Sequence, residues 1–254
     1  MNIFYAFILG VTQGLTEFLP ISSSGHLSII ARVLGIEASL GFDLVIHCAT
    51  ALAVIIHCRK QLPHLIKKPF APFPRAIIIA TVISAVVVLI VKPFAQNFFN
   101  GWGLGIFFAL TALLLVFSTF YSPKKTNALP TTFQAVMVGF MQGLAVFPGL
   151  SRSATTFTTA NALGLEKKSN TSFCFLLSVP IIIGSSIVSL FTEQLVYVPF
   201  PCLLIGFISA FISGLLALRC IEKIFLNKNL LPFALYTAIV AVILTLNDCF
   251  WGIF

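Results

Sequence analysis

Two stretches of this sequence carry side chains suited to phosphate chemistry. The first holds Gln13, Glu17, Ser22, Ser23, Ser24 and His26; the second holds Ser151, Arg152, Ser153, Thr155 and Thr156. Gln13 and Glu17 stand four residues apart and share one face of a helix. Arg152 offers a planar fork that meets phosphate oxygens in pairs. Hydroxyls together with helix N-terminal N–H groups complete an anion site without further charge. Glu17 cannot hold an anion itself. It suits a ligand for a divalent cation bridging to phosphate, or a general base. Each residue also has a structural alternative: Arg152 could pair with Glu17, His26 could be a hydrogen-bonded core residue, and any of the serines could cap a helix end. His47, His57 and His64 lack such company and receive no role.

The elements that must position these residues are set by composition. Of the 254 residues, 59% are hydrophobic and 9% are charged, where soluble domains carry about 25% charged residues. The mean hydropathy is +1.06. The net charge of +8 does not point to nucleic acid, because the basic residues fall in short clusters between long apolar runs. Six cysteines (Cys48, Cys58, Cys174, Cys202, Cys220 and Cys249) form no C-x-x-C pair and read as small buried hydrophobes. The N-terminal run has no basic leader segment and no small-residue cleavage site, so no removable signal peptide is expected.

A spanning helix needs about 20 largely apolar residues. Six stretches qualify: 42–58, 76–95, 102–121, 172–192, 200–218 and 230–250. Two more, 3–34 and 133–163, are broken midway by Pro, Gly and Ser. Their halves are too short to cross, so each is expected to be a re-entrant helical hairpin. Lys and Arg favour cytoplasmic loops. With the 59–75 loop inside, that side collects Arg59, Lys60, Lys67, Lys68, Arg75, Lys124, Lys125, Lys167, Lys168, Arg219, Lys223 and Lys228, against Arg32 and Lys92 outside. Both termini then face outward.

The two broken segments are copies of each other. Gly10 to His26 aligns without gaps on Gly139 to Thr155, an offset of 129, with identities at Gly10/Gly139, Gln13/Gln142, Gly14/Gly143, Leu15/Leu144, Phe18/Phe147, Ser22/Ser151 and Ser24/Ser153. Matching Gly, Gln and Ser is not what two unrelated apolar runs would share. Residues 1–125 and 126–254 of this single integral membrane domain then each hold one hairpin and three spans. An odd number of spans inverts the second copy. The expected fold is an all-α polytopic membrane protein with an inverted-topology repeat, whose site lies midway between the repeats. Backbone that is not helical inside a bilayer is tolerated only in protein or beside a wet cavity, so the Ser-rich breaks imply a polar cavity. Ionisable residues there are functional candidates.

At these residues the sequence resembles the undecaprenyl-diphosphate phosphatase family, also called the bacitracin-resistance family. The first family motif is matched by Gln13, Glu17, Pro20, Ser22, Ser23, Ser24, Gly25 and His26, and the second by Pro148, Gly149, Ser151, Arg152, Ser153 and Thr156. Similarity continues through 42–50 and 172–180 and covers essentially the whole chain. Two departures stand out. Ala154 replaces the family's glycine, and Gln13 stands where many members have Glu, so one carboxylate is missing.

The resemblance implies hydrolysis of undecaprenyl diphosphate to undecaprenyl phosphate and inorganic phosphate, which recycles the lipid carrier of peptidoglycan synthesis and is associated with bacitracin resistance. It places the protein in the bacterial inner membrane with its site open to the periplasm. A divalent cation, Mg²⁺ or Ca²⁺, is implied, with Glu17 as ligand. The catalytic set is then Glu17, Ser23, His26 and Arg152, with Ser23 as nucleophile and His26 as its acid/base partner. Gln13, Ser22, Ser24, Gly149, Ser151, Ser153 and Thr156 would orient the head group. Bilayer lipids are expected partners and a homodimer is open; nucleic acid is not expected. The competing class is a lipid-phosphate flippase without hydrolysis, since a phosphate-reading cavity between repeats also suits a carrier.

Overall fold

The computed structural model describes residues 1–36, 39–95, 103–121, 123–192, 197–227 and 229–251. Among them the chain is helical, without strands and with one isolated bridge between Asn127 and Leu165. In order the helices are α1 (Ile3–Phe18), α2 (Ser23–Val33), α3 (Leu40–His57), α4 (Leu62–Lys67), α5 (Pro72–Ala95) and α6 (Gly103–Phe120). They continue with α7 (Thr132–Leu144), α8 (Arg152–Ala162), α9 (Lys167–Thr192), α10 (Phe200–Asn227) and α11 (Leu231–Leu246), which ends in a π-helical turn at Asn247–Trp251. Six of these, α3, α5, α6, α9, α10 and α11 with its extension, are long and apolar enough to cross a membrane. The protein is therefore a multi-pass membrane protein.

The breaks in the two short-helix units have local causes. Leu19 precedes Pro20 and takes an extended conformation (φ −62°, ψ 141°), as a residue before proline is driven to do. Ser22 then caps α2, its side chain accepting from the Gly25 N–H. In the second unit Gly149, at φ +90°, turns the chain after Pro148, and Ser151 caps α8 by accepting from the Ala154 N–H at 3.3 Å. The serines of both motifs thus restart a helix. Helix α7 begins with a capping box between Thr131 and Gln134.

Packing is reciprocal between the halves. Helix α1 lies on α10 while α7 lies on α5; α3 packs on α10 while α9 packs on α5; α6 and α11 pack on each other. The close approaches occur at glycines. A Cβ on Gly14 would sit 2.0 Å from Ser213 Oγ and 2.4 Å from the Ala210 carbonyl oxygen. A Cβ on Gly139 would sit 2.5 Å from the Ala80 carbonyl oxygen. Backbones can come this near only where side chains are absent.

Three expectations need correction. The span drawn as 200–218 continues to Asn227, because Arg219, Glu222 and Lys223 extend the helix beyond its apolar part. The 59–75 loop contains the short helix α4. Cys58, Cys174 and Cys202 are buried, but Cys48, Cys220 and Cys249 are exposed on the bundle; all six are free thiols. Lys228 and the first residue of the expected 102–121 span lie outside the described residues.

Candidate active site

Glu17, in the last turn of α1, is the hub of the cluster. Its carboxylate is buried, and it forms an ion pair with the Arg152 guanidinium at the start of α8. Its other oxygen accepts from Gln13 Nε2 at 3.0 Å and from Ser23 Oγ at 2.6 Å. A guanidinium 135 residues away in sequence and a hydroxyl at the start of α2 thus converge on the Glu17 carboxylate. Pairing with the half-buried Arg152 is what lets the Glu17 carboxylate carry its charge in a buried position. A second link joins the units: Ser153 Oγ donates to the Leu19 carbonyl at 3.1 Å.

The remaining hydroxyls are held by local bonds. Ser151 Oγ lies 3.1 Å from Ser153 Oγ, and Ser22 Oγ lies 3.4 Å from Ser24 Oγ. Thr156 Oγ1 donates to the Arg152 carbonyl at 2.9 Å and Thr155 Oγ1 to the Ser151 carbonyl at 2.7 Å. Gly25 packs tightly on Phe108, with the Gly149 Cα close by. A small cavity of about 10 Å³ adjoins Glu17, Arg152, Ser153 and Thr156 and is walled by Phe175 and Phe225. It has room for about one water.

The structure does not pair Ser23 with His26. The imidazole Nδ1 is 2.7 Å from the Ser22 carbonyl oxygen and Nε2 is 2.7 Å from Tyr236 Oη, so both ring nitrogens are taken. The group beside Ser23 is Glu17. The expected contact between the two is not formed: helical spacing brings His26 to the same turn as Ser23, but the ring bonds to the backbone behind it and to α11. The ion pair of Glu17 with Arg152, weighed as a structural alternative, is formed. His47 Nδ1 bonds the Asp43 carbonyl at 2.7 Å, and His57 pairs with Glu222 at 3.1 Å, so these bonds join neither to the Glu17 cluster.

Two residues here carried no motif signal. Thr111, mid-way along α6, donates to the Gly149 carbonyl at 2.8 Å and accepts from the Ser151 N–H at 2.9 Å, fixing the second break. A buried threonine inside an apolar run was a usable hint. Tyr236 had none, because tyrosine is ordinary in a membrane helix.

A sequence model described as bacitracin resistance protein BacA matches residues 6–243. The chain belongs to the bacitracin resistance protein family. Relatives within reach of direct comparison include an undecaprenyl-diphosphatase of Carboxydothermus hydrogenoformans, 38% identical over 95% of this chain and 96% of that one. Another, of Methanosphaera stadtmanae, is 34% identical over 96% and 97% of the two chains. A third, of Bacteroides thetaiotaomicron, is 36% identical over 94% and 97%. The part of the chain matched to the bacitracin resistance family includes both serine-rich breaks, Thr111 and Tyr236.

Proposed function

We propose that this protein hydrolyses undecaprenyl diphosphate to undecaprenyl phosphate and inorganic phosphate, giving bacitracin resistance through recycling of the lipid carrier. The carrying observation is the convergence of Ser23, Glu17 and Arg152 in a family whose relatives are named undecaprenyl-diphosphatase. Those names favour hydrolysis over lipid translocation alone.

In the proposed reaction Arg152 exchanges Glu17 for the terminal phosphoryl group, and its fork stabilises the charge that spreads over the equatorial oxygens. Glu17 takes the proton of Ser23 Oγ, already 2.6 Å away. Ser23 Oγ then bonds to phosphorus as the anhydride P–O bond breaks, and undecaprenyl phosphate leaves. Glu17 passes that proton to the departing undecaprenyl phosphate; water then attacks the phosphoserine, giving a proton to Glu17, which returns it to Ser23 Oγ as inorganic phosphate is released. Gly149, Ser151, Ser153 and Thr156 at the second break, with Ser22, Ser24 and Gln13 at the first, orient the head group.

The divalent cation implied by the family has oxygen donors in this chain. The Glu17 carboxylate would be joined by Gln13 Oε1, a buried carbonyl oxygen without a hydrogen-bond partner. Mg²⁺ needs few protein ligands when phosphate and water supply the rest. When bound, it would neutralise charge on the phosphate oxygens as a Lewis acid.

The helix–break–helix units are proposed as re-entrant hairpins of an inverted-topology repeat, with 1–125 and 126–254 as its copies. Support comes from the reciprocal helix pairing and from α2 and α8, whose bounds differ by the repeat offset of 129 at both ends, 23 to 152 and 33 to 162. The charge asymmetry of the loops favours the bacterial inner membrane with termini and site toward the periplasm. The apolar outer faces would meet bilayer lipids, or a second copy in a homodimer.

The test is phosphate release from undecaprenyl diphosphate by purified protein in detergent, with and without EDTA. Glu17→Gln and Arg152→Ala are expected to abolish release, and EDTA to remove it reversibly. No release from folded wild-type protein supplied with Mg²⁺ or Ca²⁺ would overturn the hydrolase reading.

A further inference from the structure

The imidazole of His26 is clamped from the opposite half of the chain. A carbonyl oxygen only accepts, so the 2.7 Å contact with the Ser22 carbonyl places the hydrogen on Nδ1. In the neutral ring Nε2 is then an acceptor, and the Tyr236 hydroxyl donates to it at 2.7 Å. The two rings are nearly parallel, at 13°. Phe108 meets the imidazole edge-on with centroids 5.4 Å apart. Tautomer and orientation are both determined.

What this clamp holds is the backbone of Ser22. At φ 71° it is the one non-glycine residue with positive φ among those described. A side-chain-bearing residue stays in such a conformation only where its surroundings over-determine it. Here the Ser22 carbonyl accepts from His26 Nδ1 and also from the His26 backbone N–H at 3.2 Å. The next residue is Ser23, whose hydroxyl reaches Glu17. A continuous chain of bonds therefore runs from α11 through His26 and Ser22 to the Ser23 hydroxyl.

The repeat sharpens the point. Moved by the offset of 129, His26 falls on Thr155 and Tyr236 falls on Phe107. The phenol hydroxyl is present in the pair that contains the histidine and missing from its counterpart. Ring packing alone does not call for it.

We infer that Tyr236 is a positioning residue: its hydroxyl fixes His26 as the Nδ1–H tautomer, which holds the Ser22 turn that presents Ser23 Oγ to Glu17. This rests on the hydrolase reading above. Tyr236→Phe keeps the ring and removes one hydrogen bond, so kcat for undecaprenyl diphosphate hydrolysis should fall about five- to tenfold, with KM within about twofold. In a His26→Ala background the same change should cost nothing further, since the hydroxyl acts through the imidazole. The measurement is steady-state phosphate release by the full-length protein and its three variants in detergent, alongside their thermal unfolding midpoints. Wild-type kcat in Tyr236→Phe overturns the positioning role alone, as does an equal loss with and without His26. A loss confined to KM or matched by a lowered unfolding midpoint also overturns it, in favour of packing. Inactive wild-type protein overturns the hydrolase reading and this inference with it.

Discussion

Glu17 accepts from Gln13 and Ser23 while pairing with Arg152, and this arrangement separates charge from shape in an experiment. Arg152→Lys keeps a cation beside Glu17 but loses the planar fork. It should retain the unfolding midpoint within a few degrees while losing about 100-fold or more in kcat, the scale set by removing one donor from a charge-stabilising site. Near wild-type turnover would sink the bidentate role. Arg152→Ala leaves Glu17, buried to 6% exposure, without its counter-charge, a change that costs about 3–5 kcal/mol in buried pairs. It should therefore lower the unfolding midpoint as well as activity. Ser23→Ala divides the two routes of attack: loss of release with retained fold supports a serine nucleophile, whereas retained release means that water attacks directly with Glu17 as base. Residue types at the site were legible in the sequence, since Glu, Arg and hydroxyls in broken apolar segments have few other uses. Partners were less so. Spacing places Ser23 and His26 on one helical turn, but nothing in spacing reports that Tyr236, 210 residues on, captures the ring.

Helices α1 and α10 touch through glycine and serine, and the tightness of that contact sets how α1 delivers Glu17. Gly14→Ala would put a methyl group 2.0 Å from Ser213 Oγ and 2.4 Å from the Ala210 carbonyl. Backbone has to move, and overpacking of this kind costs about 1–3 kcal/mol. The expected result is a lowered unfolding midpoint in detergent together with a several-fold loss of phosphate release, since Glu17 lies one turn beyond. Gly184→Ala in α9 is the control: its Cβ would meet nothing within 4 Å, and alanine favours helix by up to about 1 kcal/mol. It should be neutral or stabilising. Equal behaviour of the two variants would remove the packing argument. At this scale the apolar runs mark all six long helices because length and hydropathy are directly written in composition. Helix ends are not. Helix α10 continues through Arg219, Glu222 and Lys223, since once nucleated a helix propagates through charged residues that hydropathy excludes. Helix α4 was hidden for the same reason, being short and flanked by lysines.

The pairing of α1 with α10 and of α7 with α5 is an exchange between halves, and only the assembled molecule brings Glu17 of one to Arg152 of the other. Each half on its own would leave its own ionisable residue buried without a partner, so separately expressed halves are not expected to be stable alone. The proposed topology rests on the same division: six spans would return the chain to its starting side, and twelve basic residues crowd the loops and helix ends assigned to one side against two on the other. The proposed orientation can be read directly with single cysteines placed in a variant lacking the six native thiols. Asn2→Cys should react with a membrane-impermeant maleimide in intact cells. Lys60→Cys and Lys125→Cys, in loops between spans, should react only after the membrane is opened. Each added or removed basic residue biases insertion, so Gln61→Cys serves as a charge-neutral check on Lys60→Cys. Labelling of the 60 and 125 positions in intact cells, with Asn2→Cys protected, would reverse the orientation and place the Glu17–Arg152 cluster in reach of the opposite compartment. Labelling of both sets from outside would instead mean that the span count is wrong, and the inverted relation of the two halves would fall with it.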